Sequence, residues 1–306
     1  MIVQSPSPET PRDSAGSRLM TTAEVADYLR VKERTIYEMV ARQTIPFSRA
    51  TGKLLFPRRL IDAWLESQTE LPQAGIGSAP PIYAGSSDPL LEWALRQSGA
   101  GLAVLTNGST HGLEQLAEGR AVMAGCHLLD PVAGGYNLAA VHAVVPSARI
   151  VVIHWARRTQ GLLTAPSNPL GISGLADVAA RSLRFAARAE GAGSQRLLEV
   201  LLARGGVAPG GLTFAPRVAE SHADLAAMIE MGEADCGLGL QAVSGGLGFL
   251  PLVGDESFDL VMNRRDYFEP PVQALLGFAR SDAFARRAAH LGGYDVTDLG
   301  AVRWNG

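Results

Sequence analysis

A stretch of about 46 residues near the amino terminus constrains the fold most strongly, because its apolar residues recur at helical spacing in short blocks. Thr21 and Thr22 precede Glu24 at the spacing of a capping box, which satisfies the free N–H groups at a helix start. The pattern predicts a first helix over residues 23–29 and a second over residues 33–42. The polar break between them is so short that it requires a tight turn.

A β-hairpin and a third helix are predicted to follow. Two short β-type runs, residues 46–49 and 53–56, are joined by a turn that contains Gly52. Pro57 is predicted to start the third helix, whose apolar residues form a single stripe. Two helices, a hairpin and a closing helix, in this order, form a winged helix-turn-helix.

Positive charge is concentrated in the same stretch. The whole chain has a formal charge of -3, whereas residues 30–59 contain eight basic and two acidic side chains. A local basic patch on an otherwise acidic chain is typical of a phosphate-binding surface. The alternative is a solvated helical hairpin that makes protein contacts, but the order and length of the elements favour DNA binding.

The sequence TTAEVADYLRVKERTIYEMV, followed by IPFSRATGKLLFPRRLIDAWL, resembles the excisionase and MerR-type winged helix-turn-helix family. In that family the second helix enters the major groove, and the wing contacts the backbone or the minor groove. The resemblance implies base reading by Arg34, Thr35 and Tyr37. It implies backbone contacts by four basic residues, Lys32, Arg49, Lys53 and Arg58.

Length and composition indicate more than one domain, since 306 residues exceed one ordinary core. Residues 1–17, rich in Ser and Pro, are expected to form a disordered tail, and they lack the apolar run of a secretory signal. Residues 71–81 have the composition of a linker. We therefore expect a DNA-binding domain over residues 18–70 and a second domain over residues 82–306.

The sequence predicts a cytoplasmic protein without a metal or cofactor of its own. No segment reaches the eighteen uncharged apolar residues that a membrane span requires. Cys126 and Cys236 have no His or Cys neighbours at metal-ligand spacing, so neither a disulfide framework nor a zinc site is indicated.

From residue 82 onward, predicted strands and helices alternate, a pattern typical of a parallel α/β fold. Two β-rich stretches, residues 150–165 and 247–263, are expected to connect two doubly wound sheets. A helix near residues 271–291 is predicted to end the domain.

Four loops that follow these strands present a hydroxyl residue just before a helix. They are residues 85–89, 107–112, 191–196 and 220–222. Because a helix N-terminus has free N–H groups and a partial positive charge, several such ends in one cleft would bind an anion. Each loop alone is explained by ordinary N-capping, but four at the carboxyl ends of strands favour a ligand site.

Several other polar residues each allow either a structural or a functional interpretation. His127 is a structural histidine or a ligand donor, and Tyr136 with Asn137 forms a lid or a simple turn. Arg157 and Arg158 lie on the connecting strands, where they could pair with acids across the two lobes. No nucleophile triad, carboxylate pair or metal triad lies on the loops, so we expect no enzymatic activity.

Residues 82 to about 280 resemble the type II periplasmic-binding-protein-like domain that is fused to helix-turn-helix regulators and to molybdopterin-biosynthesis proteins. They are similar, more distantly, to the molybdate- and tungstate-binding proteins of ABC importers. The resemblance is carried by segments such as LTNGSTHGLEQLAEGRAVMAGCHLLDPVAGGYN and ESHADLAAMIEMGEADCGLGL. It implies a bilobal α/β fold of two doubly wound sheets, with lobe 1 formed by residues 82–158 and 250–306 and lobe 2 by residues 160–245.

The importers hold a tetrahedral oxyanion with serine hydroxyls and backbone N–H groups. The resemblance therefore implies ligand contacts from five hydroxyl side chains, Ser86, Ser87, Ser109, Thr110 and Ser194. We add Tyr136 as a residue that closes over the ligand. The sequence thus predicts a homo-oligomeric one-component regulator that binds double-stranded DNA and senses molybdate or tungstate. Two alternatives stay open: a regulator that senses an organic anion or a molybdenum-cofactor-related ligand, and an excisionase-like architectural DNA binder without a ligand response.

Overall fold

The computed structural model describes residues 19–50, 52–68, 79–130, 134–145, 149–189, 191–208 and 210–306. Its contacts divide the chain into two compact units, Met1–Gly75 and Ile76–Gly306. The predicted tail and most of the predicted linker lie outside the described residues.

The amino-terminal unit contains a helical group and a small antiparallel sheet. Its helices are α1 (Thr22–Tyr28), α2 (Glu33–Ala41) and α3 (Arg58–Gln68), and its strands are β1 (Leu19–Met20) and β2 (Phe56–Pro57). The predicted capping box is present, because the Thr21 N–H donates to Glu24 Oε2 at 2.7 Å and the Glu24 N–H donates to Thr21 Oγ1 at 3.3 Å. Pro57 pairs with Leu19 in the sheet, so α3 begins one residue later than predicted.

Buried apolar side chains from all three helices and from β2 form the core of this unit. Val25 of α1, Ile36 and Val40 of α2, Phe56 of β2 and Ile61 of α3 are all buried. The predicted wing has its shortest possible form, a single antiparallel bridge between Ser48 and Leu55. The winged helix-turn-helix expected from the sequence is therefore confirmed.

The second unit is an α/β domain. Its strands are β3 (Ile82–Gly85), β4 (Ala103–Leu105), β5 (Met123–Cys126), β6 (Ile150–Thr164), β7 (Arg184–Arg188), β8 (Thr213–Ala219), β9 (Cys236–Leu240), β10 (Gly248–Asn263), β11 (Tyr294–Asp295) and β12 (Val302–Asn305). Its helices are α4 (Pro89–Gln97), α5 (Ser109–Ala117), α6 (Leu138–Val144), α7 (Leu175–Ala180), α8 (Gly193–Arg204), α9 (His222–Glu230), α10 (Pro270–Ala279) and α11 (Asp282–Leu291). Short 3-10 turns lie at Gln241–Val243 and Asp266–Phe268.

The strands form two parallel groups that are joined by two long antiparallel strands. Along the sheet the order is β4-β3-β5-β10-β6-β9-β7-β8. Strands β3 to β5 are parallel and define the first half of the domain, and β7 to β9 are parallel and define the second half. The expected bilobal α/β class is therefore confirmed, and both doubly wound groups belong to one hydrogen-bonded path through β6 and β10.

Each of the two predicted β-rich stretches forms one continuous strand. Strand β6 has 15 residues and β10 has 16, and they pair along their lengths with register shifts at three points. The polar run from residue 157 to residue 160 resembles a loop in the sequence, but Arg158 and Gln160 are buried. The Arg158 guanidinium and the Gln160 amide nitrogen donate to the buried carboxylate of Glu256, so the strand continues through them.

Two helical details also differ from the sequence prediction. Helix α6 was not predicted, and the expected carboxyl-terminal helix is divided at Ser281, whose hydroxyl caps α11 by accepting from the Phe284 N–H at 3.3 Å. Among the described residues, no helix is long and apolar enough to cross a membrane.

Candidate functional site

The amino-terminal unit presents its predicted DNA-contacting residues to solvent. Helix α2 buries Ile36 and Val40, and this places Arg34 and Tyr37 on its outer face. The Arg34 side chain is 90% exposed and pairs with Glu38 at 3.1 Å. All seven predicted contact residues are exposed: Lys32, Arg34, Thr35, Tyr37, Arg49, Lys53 and Arg58.

Aromatic rings support two of these basic groups. The Arg49 guanidinium lies 5.3 Å from the centre of the Phe47 ring, and that of Arg58 lies 4.8 Å from the centre of the Tyr28 ring. Cation–π contacts of this kind orient a charged group without neutralising it. Both charges therefore stay available for a phosphate.

In the first half of the α/β domain, two of the predicted serines meet at the carboxyl end of β3. Ser86 Oγ and Ser109 Oγ are buried and lie 2.6 Å apart, in a hydrogen bond in which either hydroxyl can donate. Ser109 is the first residue of α5. This helix packs very closely against β3: if Gly112 carried a side chain, its Cβ atom would lie only 2.3 Å from the Gly85 Cα. The close packing brings the N-terminus of α5 to the strand end.

The other hydroxyls predicted in the first half do not join this pair. Ser87 donates to Glu92 Oε1 at 2.6 Å, so its hydroxyl is engaged in the first turn of α4. Thr110 lines a cleft of about 280 Å³ that also involves Leu128 and Arg196. Tyr136 lines a different cleft, beside α8, and is half-buried.

In the second half, Ser194 and two polar residues that were not predicted as ligand residues lie at a strand end or a helix start. Ser194 is the second residue of α8, Arg188 is the last of β7, and His222 is the first of α9. Among the residues that the structure describes, the buried atoms Ser194 Oγ, Arg188 Nε and Nη1, and His222 Nδ1 have no hydrogen-bond partner. We call these three residues the donor cluster.

Strand register brings Arg188 and His222 close together, because Arg188 pairs with Ala219 of β8 and His222 follows Ala219 by three residues. Burial lowers the pKa of Arg188 to about 10. Burial, and next the charge of Arg188, hold the pKa of His222 well below its usual range. The Arg188 charge also contributes to lowering the pKa of His127, for which burial is the main cause. Arg188 therefore lies close enough to both imidazoles for its charge to act on them.

The two halves of the domain touch at the site. Gly108, which has φ +94°, lies close to Gly191: a Cβ atom added to Gly108 would be 3.1 Å from the Gly191 carbonyl oxygen. A Cβ at Gly193 would lie 2.6 Å from Cε1 of the His127 ring. Because His127 also donates its backbone N–H to Ser109 Oγ at 3.2 Å, it links the serine pair to the start of α8. The serine pair and the start of α8, which carries Ser194, thus lie on either side of His127.

A buried ionic network lies beneath the site and settles the reading of two residues. The Arg158 guanidinium donates to Glu256 Oε2 at 2.9 and 2.6 Å and to Asp88 Oδ2 at 3.0 Å. His127 Nδ1 lies 2.7 Å from Glu256 Oε1. Asp88 caps α4 in the first half, and Glu256 lies on β10. Arg158, on the connecting strand β6, and His127, directly after β5, are therefore structural residues.

Two other polar residues have structural roles as well. Asn137, at φ +69°, accepts from the Leu128 N–H at 2.6 Å and donates to Asp259 Oδ2 at 2.7 Å, so it anchors a turn and is no lid. Arg157 is partly exposed and pairs with Asp295 and Asp298 near the carboxyl terminus.

A signal for the missed residues was present in the sequence. Ligands of open α/β sheets bind outside the carboxyl ends of the strands. Arg188 ends β7, and His222 follows the loop after β8. Arg188 and His222 are therefore predictable from the sequence when every polar residue at the carboxyl ends of the strands is considered, and not hydroxyl residues alone.

The fold and the site together define a helix-turn-helix domain joined to a ligand-binding α/β domain. The chain belongs to the PBP superfamily domain family, whose model matches residues 91–280, and a helix-turn-helix domain model matches residues 19–69. This combination fits a ligand-sensing DNA-binding regulator.

Two similar proteins match nearly the whole chain or its second part. The protein YvgK of Bacillus subtilis is 24% identical over 301 residues, which cover 92% of this chain and 96% of YvgK. A substrate-binding protein of the ABC-transporter class from Clostridium perfringens, solved with bound phosphate, is 13% identical and has a TM-score of 0.50. The match covers 72% of this chain and 98% of that one, and it shows the fold alone.

Proposed function

We propose that this chain is a cytoplasmic one-component transcription regulator whose α/β domain senses a small oxyanion, with molybdate and tungstate as the first candidates. The observation that carries the proposal is the donor cluster, in which buried donors without partners face the serine pair across one site. An unpaired buried donor costs free energy, and a bound oxyanion removes that cost.

The helix starts at the site add to this attraction. Ser109 and Ser194 lie in the first turns of α5 and α8, where free backbone N–H groups and the helix dipole favour negative charge. Helix α8 has 12 residues, and within the described part of the chain no side chain caps its N-terminus. The N–H groups of Gln195 and Arg196 bond to the Ala192 carbonyl, so the backbone donors proposed for a ligand are those of Gly193 and Ser194.

Selectivity follows from the predominance of donors. A fully ionised tetrahedral dianion presents acceptors only, whereas hydrogen phosphate also presents an O–H group that needs an acceptor. We expect molybdate or tungstate to bind at least about tenfold more tightly than phosphate, a difference of about 1.4 kcal/mol.

Regulation requires that the ligand have different affinities for two states of the protein. In our proposal the ligand favours the arrangement in which Gly108 lies against Gly191 and Ala192, as it does in this structure. The same change would alter how two copies of the chain associate and thereby the spacing of their DNA-binding domains.

An organic anion is the second candidate, and one observation favours it. The cleft that contains Thr110 lies next to the serine pair in sequence and is mainly apolar, with Leu128, Ala140 and Val144 in its wall. An organic carboxylate could place its body there. A guanidinium such as that of Arg188 also suits carboxylate geometry.

A thermal-shift screen of the full chain separates these candidates. Molybdate, tungstate, sulfate, phosphate and small carboxylates would be compared, with Ser194→Ala as the matched variant. A ligand at a hundred times its dissociation constant should stabilise the protein by about 2.7 kcal/mol. A response to carboxylates alone would favour the second candidate, and no response to any oxyanion would remove the first.

A gel-shift assay tests the regulatory part. The active oxyanion should change the affinity of the chain for DNA from its own promoter region. DNA binding that is the same with and without that ligand would instead favour an architectural DNA binder.

A further inference from the structure

His222 is a buried imidazole in a site that is proposed to bind negative charge. It is 3% exposed, and its Nδ1 has no hydrogen-bond partner. It begins α9, where Ser221 acts as the N-cap by accepting from the Asp224 N–H at 3.0 Å. Because Ser221 serves the helix start, the His222 side chain has no capping role of its own.

The charged groups around His222 come from several elements. Arg188 on β7, Arg158 on β6 and His127 after β5 all disfavour its protonation, in this order. On its own helix, Asp224 is bound by Arg217 at 2.8 Å on a partly exposed edge. The imidazole is therefore neutral without a ligand.

Arg188 and Arg158 differ in their ion pairing. Arg158 is bound directly by two carboxylates, Glu256 and Asp88, whereas the charge of Asp224 acts on Arg188 only at longer range. Within the described part of the chain, no carboxylate lies within hydrogen-bond distance of Arg188. A dianion bound against Arg188 would thus leave one negative charge uncompensated in a buried place.

We propose that Arg188, Ser194 and His222 form the charged half of the effector site and that His222 takes up one proton from solvent when a doubly charged oxyanion binds. The proton converts a neutral imidazole into an imidazolium, which can donate from Nδ1 as well as from Nε2. The charges of Arg188 and His222 together then balance the two charges of the ligand. This inference rests on the proposed oxyanion function.

The proton uptake sets the direction of the pH dependence. The affinity for the dianion falls as the pH rises from the pKa of His222 in the ligand-free protein to its pKa in the complex, because binding in this interval requires a proton that becomes scarcer. Above the second value the affinity levels off, because binding then takes up no proton. The limiting slope for one proton is tenfold in affinity for each pH unit. A singly charged ligand is already balanced by Arg188 and needs no proton.

Isothermal titration of the full chain with tungstate tests the inference, since tungstate stays fully ionised from neutral to alkaline pH. Titrations at about pH 8 in two buffers with different ionisation enthalpies give the number of protons taken up. We expect about one proton for each bound tungstate in the unmodified chain. His222→Gln should show no uptake and an affinity that does not vary with pH, whereas His290→Gln, at the exposed end of α11, should behave like the unmodified chain.

A spectroscopic measurement keeps the test decisive if His222→Gln binds too weakly to titrate. In NMR spectra of histidine-labelled protein, the ligand-free variant assigns the His222 signal by its absence. Tungstate should convert that signal in the unmodified chain to the protonated form. Tungstate binding without proton uptake, or with the His222 signal still neutral, overturns this inference and leaves the oxyanion sensor standing. If no oxyanion binds at all, both proposals fall.

Discussion

The two sides of the candidate site differ in how their polar groups are satisfied. In the first half, Ser86 and Ser109 bond to each other at 2.6 Å. In the second half, Ser194, Arg188 and His222 each have buried polar atoms without a partner. A ligand must therefore exchange one hydrogen bond for another in the first half, whereas it gains new bonds in the second.

This difference indicates that the two halves of the domain contribute differently to ligand binding. The serine pair costs little without a ligand, so it can be rigid and preformed. The donor cluster is costly without a ligand, and binding removes the cost. We infer that most of the affinity comes from the second half of the domain, although both halves contribute hydroxyl groups of the same type.

The largest effect is expected in the ionic network that both sides share. Glu256→Gln leaves the buried Arg158 with only Asp88 as a charged partner, and breaking a buried pair costs about 3–5 kcal/mol of unfolding free energy. Chemical denaturation would measure the loss. An exposed control is Glu233→Gln, which removes a surface pair with Arg217 and should cost less than about 1 kcal/mol. Equal losses in the two variants would contradict the importance of the network.

The same carboxylate predicts the acid limit of stability. Burial alone would raise the pKa of Glu256, but attraction to Arg158 and His127 outweighs burial and lowers it. A group with a lowered pKa contributes stability above its unfolded value, about 4.3, and that contribution is lost as the pH falls through the lower folded value. Unfolding followed from pH 6 downward should therefore show this loss only below about pH 4 in the unmodified chain, and the loss should be smaller in Glu256→Gln.

Arg188→Met should separate stability from binding. Removing an unpaired buried cation is expected to leave the ligand-free domain as stable as before or more stable. It should weaken oxyanion binding by about 2–3 kcal/mol, since it removes a charged donor. Thermal unfolding and calorimetry would measure the two effects, with Arg184→Met as the control, because Arg184 forms a surface pair with Asp235 at 2.7 Å. A destabilised Arg188→Met protein with normal affinity would reverse the comparison of the two sides.

Two serine substitutions sharpen the comparison further. Ser194→Ala should cost about 1.5–3 kcal/mol of oxyanion affinity, the range for a hydrogen bond to a charged group. Ser109→Ala should cost about 0.5–1.5 kcal/mol, because its hydroxyl gives up a bond to Ser86 when it binds. Calorimetry on both variants would decide the order. A larger loss in Ser109→Ala would place the dominant contacts in the first half.

The exposed DNA-binding surface gives a test that does not involve the ligand site. Arg34→Ala should cost about 1–3 kcal/mol and relax sequence preference, whereas Lys53→Ala should weaken binding to all sequences and reduce the salt slope by about one. Gel shifts and salt titrations would measure the two effects. Full operator affinity in Arg34→Ala would contradict the assignment of α2 to the major groove.

Local patterns determined much of the fold. Helix α4 begins at Pro89, because Asp88 supplies the N-cap and Pro89 suits the first turn. The capping box at Thr21 and the helical spacing of Ile36 and Val40 likewise fixed the amino-terminal unit. These features act over a few residues, so the sequence shows them directly.

Tertiary structure decided the rest. The sequence could not show that β6 continues through Arg158. The carboxylates that offset the cost of burying the Arg158 charge, Glu256 and Asp88, are 98 and 70 residues away along the chain. In the same way, Arg188, Ser194 and His222 are ordinary polar residues in three separate segments. They become one cluster only because the parallel strands of the second half bring their carboxyl ends to the same edge of the sheet.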